Sequence, residues 1–292
     1  MLGYHGPVYR PPSEGDNLII QATLGCSFDH CTFCSMYDGK PFVARPRDAV
    51  FAHIAAARAE WPEAHRVFLA DGDAMTLPTA DLIAILDRLA DSFPALQRVA
   101  SYATPVNLLR KSPEELAALK ARKLSLVYLG IESGADRVLR RVAKGSSRRN
   151  VGLALTKARA AGMKVSATVI LGLGGQAHWR EHIDETAALV NEAPPNFLST
   201  LQLTLEPDAV ARFLARWEGE FQPQDDAAIL AEQHRLLAAL DPPAPVIFRS
   251  NHASNCLPLA GTLPKDKPRL LAQLDEALAG ARPLRPRFLR GL

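Results

Sequence analysis

Six short apolar segments alternate with segments of helical periodicity along the first two thirds of this 292-residue chain, and no other feature constrains the fold as strongly. Near-continuous apolar strands that alternate with helices are typical of a parallel sheet covered by helices. We therefore predict an α/β fold with right-handed crossover connections. The predicted strands are residues 18–24, 66–70, 97–103, 124–131, 164–171 and 197–205.

The segments between these strands have the spacing of helices with one buried face. Residues 79–93, for example, place Leu82, Ile85 and Leu89 three or four positions apart. Most of the predicted strands end in a polar or glycine-rich turn, and in parallel α/β folds ligands bind at that edge of the sheet. The predicted helices are residues 46–58, 79–93, 112–122, 150–161, 178–191, 225–240 and 265–278, with a short extended run at 246–248.

Three of the four cysteines, Cys26, Cys31 and Cys34, lie within nine residues directly after the first predicted strand. Thiols this close do not make a disulfide framework, but they can converge on one metal centre. Three thiolates leave one iron of a four-iron cluster open to a further ligand. A structural zinc site takes four ligands, and His30 could supply the fourth, so the count by itself leaves zinc open.

The spacing C-x4-C-x2-C, with the aromatic Phe33 before its last cysteine, resembles the cluster motif of the radical S-adenosylmethionine (SAM) enzymes. Their usual spacing is C-x3-C-x2-C, so one residue is extra. The likeness covers roughly residues 17–207 and is nearest to the porphyrin-oxidising and tRNA-modifying members. It implies a partial (β/α)6 barrel of TIM type, here with a C-terminal helical extension.

The resemblance also implies two cofactors, a [4Fe–4S] cluster on the three cysteines and SAM at the strand ends. In that family an electron from the cluster cleaves SAM to a 5'-deoxyadenosyl radical, which abstracts hydrogen from a substrate inside the shielding barrel. An electron donor such as flavodoxin or ferredoxin is then needed. The resemblance identifies neither a catalytic side chain nor the substrate.

Two strand ends are expected to hold the methionine and ribose parts of SAM. Asp71, Gly72 and Asp73 stand where the family has a Gly-Gly-Glu turn that contacts the methionine amino group. Glu132 and Ser133 stand at the ribose position. Carboxylates suit an ammonium and ribose hydroxyls, but the two aspartates could also be simple turn formers. Glu132 could instead cap the next helix or pair with an arginine.

The fifth strand is expected to lie beside the adenine, with Phe33 also close to the cofactor. The family pattern there is G-x-I-x-G-x-x-E. Ile170 and Gly172 match it, whereas Thr168 and Gly175 replace the first Gly and the Glu. Glycine lets the backbone approach a ligand, although these glycines could also form an ordinary loop.

A group of basic residues and a polar segment have two interpretations each. The basic group is either a solvated face or the source of one ligand for the SAM carboxylate. The segment 249–256 is either part of the substrate side of the barrel mouth or a turn, and its Cys256 is a small apolar filler, a hydrogen donor or a metal ligand. The C-terminal residues 280–292 could form a mobile basic tail. The basic group is Arg140, Arg141, Lys144, Arg148 and Arg149.

Composition narrows the partners and the compartment. A net charge of +3 is too small to argue for nucleic acid by itself, and no apolar run reaches the roughly 18 residues of a membrane span. Residues 1–12 have no apolar core of a signal peptide. Few, clustered cysteines fit the reducing cytoplasm.

The predicted organisation is an N-terminal arm (1–17), the barrel (18–207) and a C-terminal extension (208–292) that completes the substrate side. The expected substrate is a small molecule or a peptide. A second cysteine triad is absent, which disfavours methylthio transfer, and no cobalamin-binding or acetyltransferase domain is evident. The alternative function is a zinc or structural iron–sulfur module that interacts with nucleic acid.

Overall fold

A computed structural model of the chain describes residues 2–291, which form two compact units. The first unit takes the chain up to Asp29 together with residues 36–129 and 157–165. The second takes residues 30–35, 130–156 and the chain from Ser166 onward. None of the helices in residues 2–291 has the length and apolar character needed to cross a membrane.

The first unit is built on parallel strands in the order β1, β4, β5 and β6. Their apolar side chains are almost all buried, which explains why the segments read as continuous apolar runs. A small antiparallel pair, β2 with β3, flanks the cysteine-containing loop. The bounds are β1 (Leu18–Gln21), β2 (Thr23–Leu24), β3 (Val43–Ala44), β4 (Arg66–Ala70), β5 (Arg98–Tyr102) and β6 (Leu124–Glu132), the last three residues of β6 belonging to the second unit.

Four helices follow the strands of the first unit. Two of them begin with a proline in the first turn and a capping box, in which Thr104 pairs with Asn107 and Ser112 with Glu115. Each box satisfies backbone donors that the first turn leaves unpaired. The helices are α1 (Arg47–Glu60), α2 (Thr79–Ser92), α3 (Pro105–Arg110) and α4 (Pro113–Ala121).

The second unit contains three parallel strands, β7, β8 and β9, followed by β10, which is antiparallel to β9. Alternate residues of β7 are buried, whereas Ser166, Thr168 and Ile170 are partly exposed, so one face of this strand is fully covered and the other is open. The elements are α5 (Asp136–Arg141), α6 (Arg148–Ala160, ending in the first unit), β7 (Lys164–Leu171), α7 (Gly175–Glu192), β8 (Phe197–Gln202), α8 (Pro207–Arg216), α9 (Asp226–Ala239), β9 (Val246–Arg249), β10 (Ala260–Leu263) and α10 (Lys267–Leu278).

The predicted strands and helices are all present, and most of the elements that the periodicity did not predict are short. The first predicted strand is split into β1 and β2, and the sixth ends at Gln202 rather than at residue 205. The run at 246–248 is a strand and pairs with β8. Helices of six residues, such as α3 and α5, are too short to show a helical period. Neither α8 nor the four-residue β10 was predicted.

Candidate functional site

The turn after β4 contains a fully buried carboxylate with one unused oxygen. Asp71 Oδ2 lies 2.5 Å from Lys40 Nζ and accepts a hydrogen bond from Gln21 Nε2 at 3.3 Å. Asp71 Oδ1 is buried without a hydrogen-bond partner. Burial raises the pKa of Asp71 and the Lys40 ammonium opposes that shift. A buried acceptor without a partner is costly, so this oxygen suits a donor on a ligand.

The next two residues of the turn hold the start of the cysteine loop. Asp73 Oδ1 accepts from the Ser27 N–H at 3.0 Å, and its other oxygen contacts the Ser27 hydroxyl. A Cβ added to Gly72 would lie 2.7 Å from Cys26 Cβ, so only glycine fits there. Burial raises the pKa of Asp73 and the bond to Ser27 lowers it. Asp73 therefore positions the residue after Cys26.

Cys31 and Cys34 lie in a loop of the second unit that is anchored on both sides. The Thr32 N–H donates to the Val142 carbonyl at 3.0 Å, and Arg212 donates to the carbonyls of Thr32 (3.3 Å) and Cys34. Burial raises the pKa of the Cys31 thiol to about 11, although the charge on Lys144 acts in the opposite direction. The loop is thus fixed through its backbone.

Glu132, at the end of β6, forms a buried ion pair with Lys144. The two charged atoms are 2.8 Å apart, and the side chains are 9% and 15% exposed. Burial lowers the pKa of Lys144, but the nearby acidic groups, Glu132 first among them, raise it overall. A Cβ on Gly130 would lie 1.8 Å from Glu132 Oε1, so glycine at 130 makes room for the pair. One alternative for Glu132 was an ion pair with an arginine; its partner in the structure is a lysine.

Two of the other basic residues have partners elsewhere. Arg148 pairs with Glu185 and Glu192, and Arg141 lies over the Trp217 ring at 5.2 Å from its centroid. Lys144 is thus the member of this group that pairs with the carboxylate at the end of β6.

Ser133, Ile170 and Gly172 are joined by two side chains that the sequence did not single out. His182 of α7 places Nδ1 2.8 Å from Ser133 Oγ and Nε2 3.0 Å from the Ile170 carbonyl. Glu232 of α9 accepts from the Gly172 N–H at 2.9 Å. Both side chains are fully buried. The sequence could have indicated that Glu232 is buried. It follows Ile229 by three residues and precedes Leu236 by four, and this spacing places a carboxylate on the apolar face of α9.

Phe33 packs into an aromatic and aliphatic cluster of the second unit. This cluster includes Phe213 and Trp217, whose rings are stacked with centroids 5.6 Å apart, and Phe221 lies against both. The contact fixes the loop between Cys31 and Cys34 through its aromatic residue.

Truncation of Phe213 is expected to destabilise the protein and loosen this loop. Phe213 is fully buried, so Phe213→Ala should lower the free energy of unfolding by about 3–5 kcal/mol. Urea unfolding followed by tryptophan fluorescence measures the change. The matched control is Phe288→Ala, which removes an 84% exposed ring and should change stability by less than about 0.5 kcal/mol. Equal effects of the two substitutions would contradict this account of the packing.

Hydrogen bonds hold the polar segment 249–256 in place, both within the segment and to β8. Asn255 Nδ2 donates to the Thr200 carbonyl at 2.7 Å and to Ser250 Oγ at 2.9 Å, while its Oδ1 accepts from the Gln202 N–H at 2.6 Å. Cys256 is buried, and burial raises the pKa of its thiol. These contacts favour the turn interpretation for Asn255 and the filler interpretation for Cys256.

The basic C-terminal segment is also held in place. Arg285 donates to the carbonyls of His252 and Ala253 at 2.7 and 2.9 Å. Arg290 makes a bidentate pair with Asp226 at 2.7 and 2.8 Å. The expectation of a mobile tail is therefore wrong up to Arg290, because its guanidinium groups find specific acceptors.

The cysteines provide a donor set for an iron–sulfur cluster. In the described part of the chain the four cysteines carry thiols and no disulfide joins them. No group of three or more His, Cys, Asp or Glu side chains within residues 2–291 is arranged to hold a metal ion. The case for an iron–sulfur cluster therefore depends on the ligand type, because cysteine thiolates are the ligands that such clusters take.

A model of the Radical SAM superfamily matches residues 20–190, which is more than half of the chain. The protein belongs to this superfamily. The cofactors of this superfamily are a [4Fe–4S] cluster and SAM, and the zinc or nucleic-acid-binding alternative is not favoured.

The chain is similar in sequence to characterised proteins with different functions. The chain is 29% identical to the "Heme chaperone HemW" of Mycobacterium tuberculosis over 188 residues, which are 64% of this chain and 47% of the relative. It is 26% identical to the "tRNA-2-methylthio-N(6)-dimethylallyladenosine synthase" of Methylococcus capsulatus, over 63% of this chain and 41% of that protein. The chain thus spans about half or less of the length of these relatives.

The solved structure of coproporphyrinogen III oxidase (HemN) from Escherichia coli, a radical SAM enzyme, resembles the fold. The TM-score is 0.60 at 19% identity, and the match covers 76% of this chain and 52% of that one. At this identity the likeness shows the fold alone. The predicted α/β class with a partial TIM-type barrel is confirmed, as is the likeness to the porphyrin-oxidising and tRNA-modifying group.

Proposed function

We propose that this enzyme binds its cluster through Cys26, Cys31 and Cys34 and abstracts hydrogen from a small-molecule or peptide substrate. The observation that carries the proposal is the three-thiol loop directly after β1 and β2, within the matched family region. When bound, the cluster and SAM together supply a 5'-deoxyadenosyl radical. Ligand binding and ordering of a metal loop are coupled, so the thiols need not be gathered beforehand.

The chain's own residues would hold the loop and orient SAM. Asp73 fixes the residue after Cys26 through Ser27. Asp71, with its unpartnered buried oxygen, would accept a hydrogen bond from the amino group of SAM. A charged donor makes such a bond about twice as strong as a neutral one. Gly72 completes this turn by allowing close approach to Cys26.

The nucleoside of SAM would lie against the ends of β6 and β7. Glu132 and Ser133 are placed at the first of these ends, and Ile170 and Gly172 at the second. Gly172 has a φ of +82°, a backbone conformation that side chains other than glycine rarely adopt. Phe33 would bring the cysteine loop against the cofactor.

We also propose an electron-donor partner, a compartment and the bounds of the domains. A radical SAM enzyme needs a reductant, and we propose a flavodoxin or ferredoxin. The chain's few, clustered thiols suit the reducing cytoplasm. In this proposal the barrel comprises residues 18–207, and residues 208–292 form the extension that completes the substrate side. The two relatives are named for heme and for tRNA. The net charge of +3 on this chain gives only weak support for a nucleic-acid substrate.

The decisive test is anaerobic reconstitution followed by a SAM cleavage assay. The reconstituted protein should be brown, bind about four irons and, with dithionite, release 5'-deoxyadenosine. Cys256→Ser is the matched control, because it removes a buried thiol outside the loop and should leave the yield unchanged. A brown, SAM-binding protein that forms no 5'-deoxyadenosine with any reductant would contradict the proposal.

A further inference from the structure

The sheet of the second unit has one face covered by helices and one face that is open. On the covered face, Thr200 of β8 accepts a hydrogen bond from Gln233 of α9 at 3.2 Å, and Phe248 of β9 is fully buried. Successive side chains of a strand lie on opposite faces of the sheet. Ser199 and Arg249, the sequence neighbours of these two residues, therefore lie on the open face, where Ser199 is partly exposed and Arg249 is exposed.

The strand register places three polar side chains in one row across this open face. Thr168 of β7 is paired with Ser199 of β8, and Ser199 is paired with Arg249 of β9. Neighbouring strands are about 4.8 Å apart, so this polar row spans about 10 Å from Thr168 to Arg249. Thr168 replaces the first Gly of the family pattern, so its hydroxyl is an addition in this chain. The polar row thus combines two hydroxyls with one guanidinium.

Backbone carbonyls hold Arg249 in place. Its Nη1 donates to the carbonyl of Phe248 at 2.8 Å and to that of Gly261, on β10, at 3.4 Å. Both acceptors are neutral, so these bonds do not balance the charge of the guanidinium. A guanidinium has five N–H donors, and the three on Nε and Nη2 take no part in these two bonds. Arg249 is therefore braced at one end and has donors suited to the oxygens of an anion.

Apolar side chains lie in the rows on both sides of the polar row. Phe197 pairs with Ile247 in one neighbouring row, and Ile170 pairs with Leu201 in the other. All four are partly exposed. Ile170 packs against the same aromatic and aliphatic cluster as Phe33 of the cysteine loop. An anionic group bound to the polar row would therefore have apolar surface on both sides, and one of these sides leads to the cysteine loop.

We propose that the polar row binds a carboxylate or phosphate group of the substrate, with Arg249 supplying the charge and Ser199 and Thr168 supplying hydroxyl donors. This inference rests on the proposed function, because it assigns a chemical class to the substrate of that reaction. Charge-assisted hydrogen bonds from a guanidinium match the oxygens of such a group. The flanking apolar rows select a molecule in which the anionic group is attached to an apolar body.

The test uses three six-carbon probes, hexanoate, hexyl phosphate and the neutral hexanamide. Ligand-observed NMR titration of the reconstituted wild-type protein should show at least about tenfold tighter binding of one or both anions than of hexanamide, because hydrogen bonds to a charged group are about twice as strong as neutral ones. The comparison of hexanoate with hexyl phosphate then tells which anion the row takes. Equal affinities for all three probes would overturn the inference.

Variants assign the preference to the polar row. Arg249→Gln should abolish it, and Arg249→Lys should keep part of it, because lysine retains the charge but not the planar fork of donors. Ser199→Ala should weaken binding of the anions severalfold. The matched control is Arg269→Gln, since Arg269 of α10 also donates to a carbonyl of β10, that of Ala260 at 2.8 Å, and lies outside the row. This control should keep the wild-type preference.

The outcomes separate recognition from bracing of β10, and this inference from the proposed function. A purely structural Arg249 would lower the melting temperature when replaced but leave the relative affinities of the probes unchanged, and a full anion preference in Arg249→Gln would overturn the inference. The wild-type comparison stands even if that variant does not fold. A reconstituted protein that prefers the anions but forms no 5'-deoxyadenosine would contradict the proposed reaction alone. One that forms 5'-deoxyadenosine and binds the three probes equally would contradict the anion site alone.

Discussion

Replacement of Cys26, Cys31 and Cys34 by alanine is expected to abolish iron binding. Each thiolate supplies one of the protein ligands of the proposed cluster, and alanine offers no donor in its place. Iron content after anaerobic reconstitution should fall from about four per chain to near zero, and the broad visible absorption of the cluster should vanish. Single replacements should also lose most of the iron, since two thiolates hold a four-iron cluster poorly.

The control for this prediction is the fourth cysteine. Cys256 is buried, lies outside the loop and has no role in the proposed cluster. Cys256→Ala should therefore keep wild-type iron and the visible band. Near-stoichiometric iron in the triple variant would falsify the ligand assignment, and would direct attention to His30 and other donors. Loss of iron in Cys256→Ala alone, with normal stability, would show that this thiol takes part.

Glu132→Ala is expected to destabilise the protein strongly and to weaken SAM binding. Removal of the carboxylate leaves the Lys144 ammonium in a mostly buried position without its partner at 2.8 Å. Breaking a buried ion pair in this way costs about 3–5 kcal/mol. Denaturant unfolding measures that loss. Calorimetry at a temperature where the variant remains folded measures the affinity for SAM, while iron content should be unchanged.

A double variant separates the two roles of Glu132. Glu132→Leu with Lys144→Met removes both charges and should recover most of the stability, because no unpaired charge remains. SAM binding should stay weak in this double variant if Glu132 contacts the ribose. Glu192→Ala is the surface control, because the Glu192 side chain is 62% exposed and pairs with Arg148. It should lower the free energy of unfolding by less than about 1 kcal/mol. Wild-type SAM affinity in the recovered double variant would remove Glu132 from the proposed site.

The amino-acid sequence by itself determined the strand pattern, the long helices and the cysteine loop. These features are local, because a period of two or 3.6 residues and a nine-residue cluster can be read within one segment. Strand ends such as Asp71–Asp73 and Glu132–Ser133 follow directly from the strand assignments. Their identity as strand ends was therefore available before any tertiary contact was known.

Only the tertiary structure decided which side chains contact the residues at these strand ends. Glu232 reaches Gly172 across 60 residues of sequence, and His182 reaches Ser133 across 49. Lys144 pairs with Glu132 because Gly130 leaves room for both side chains. Periodicity places a residue on a face of its own helix, but it carries no information about which strand that face will cover. That choice depends on how whole elements pack together.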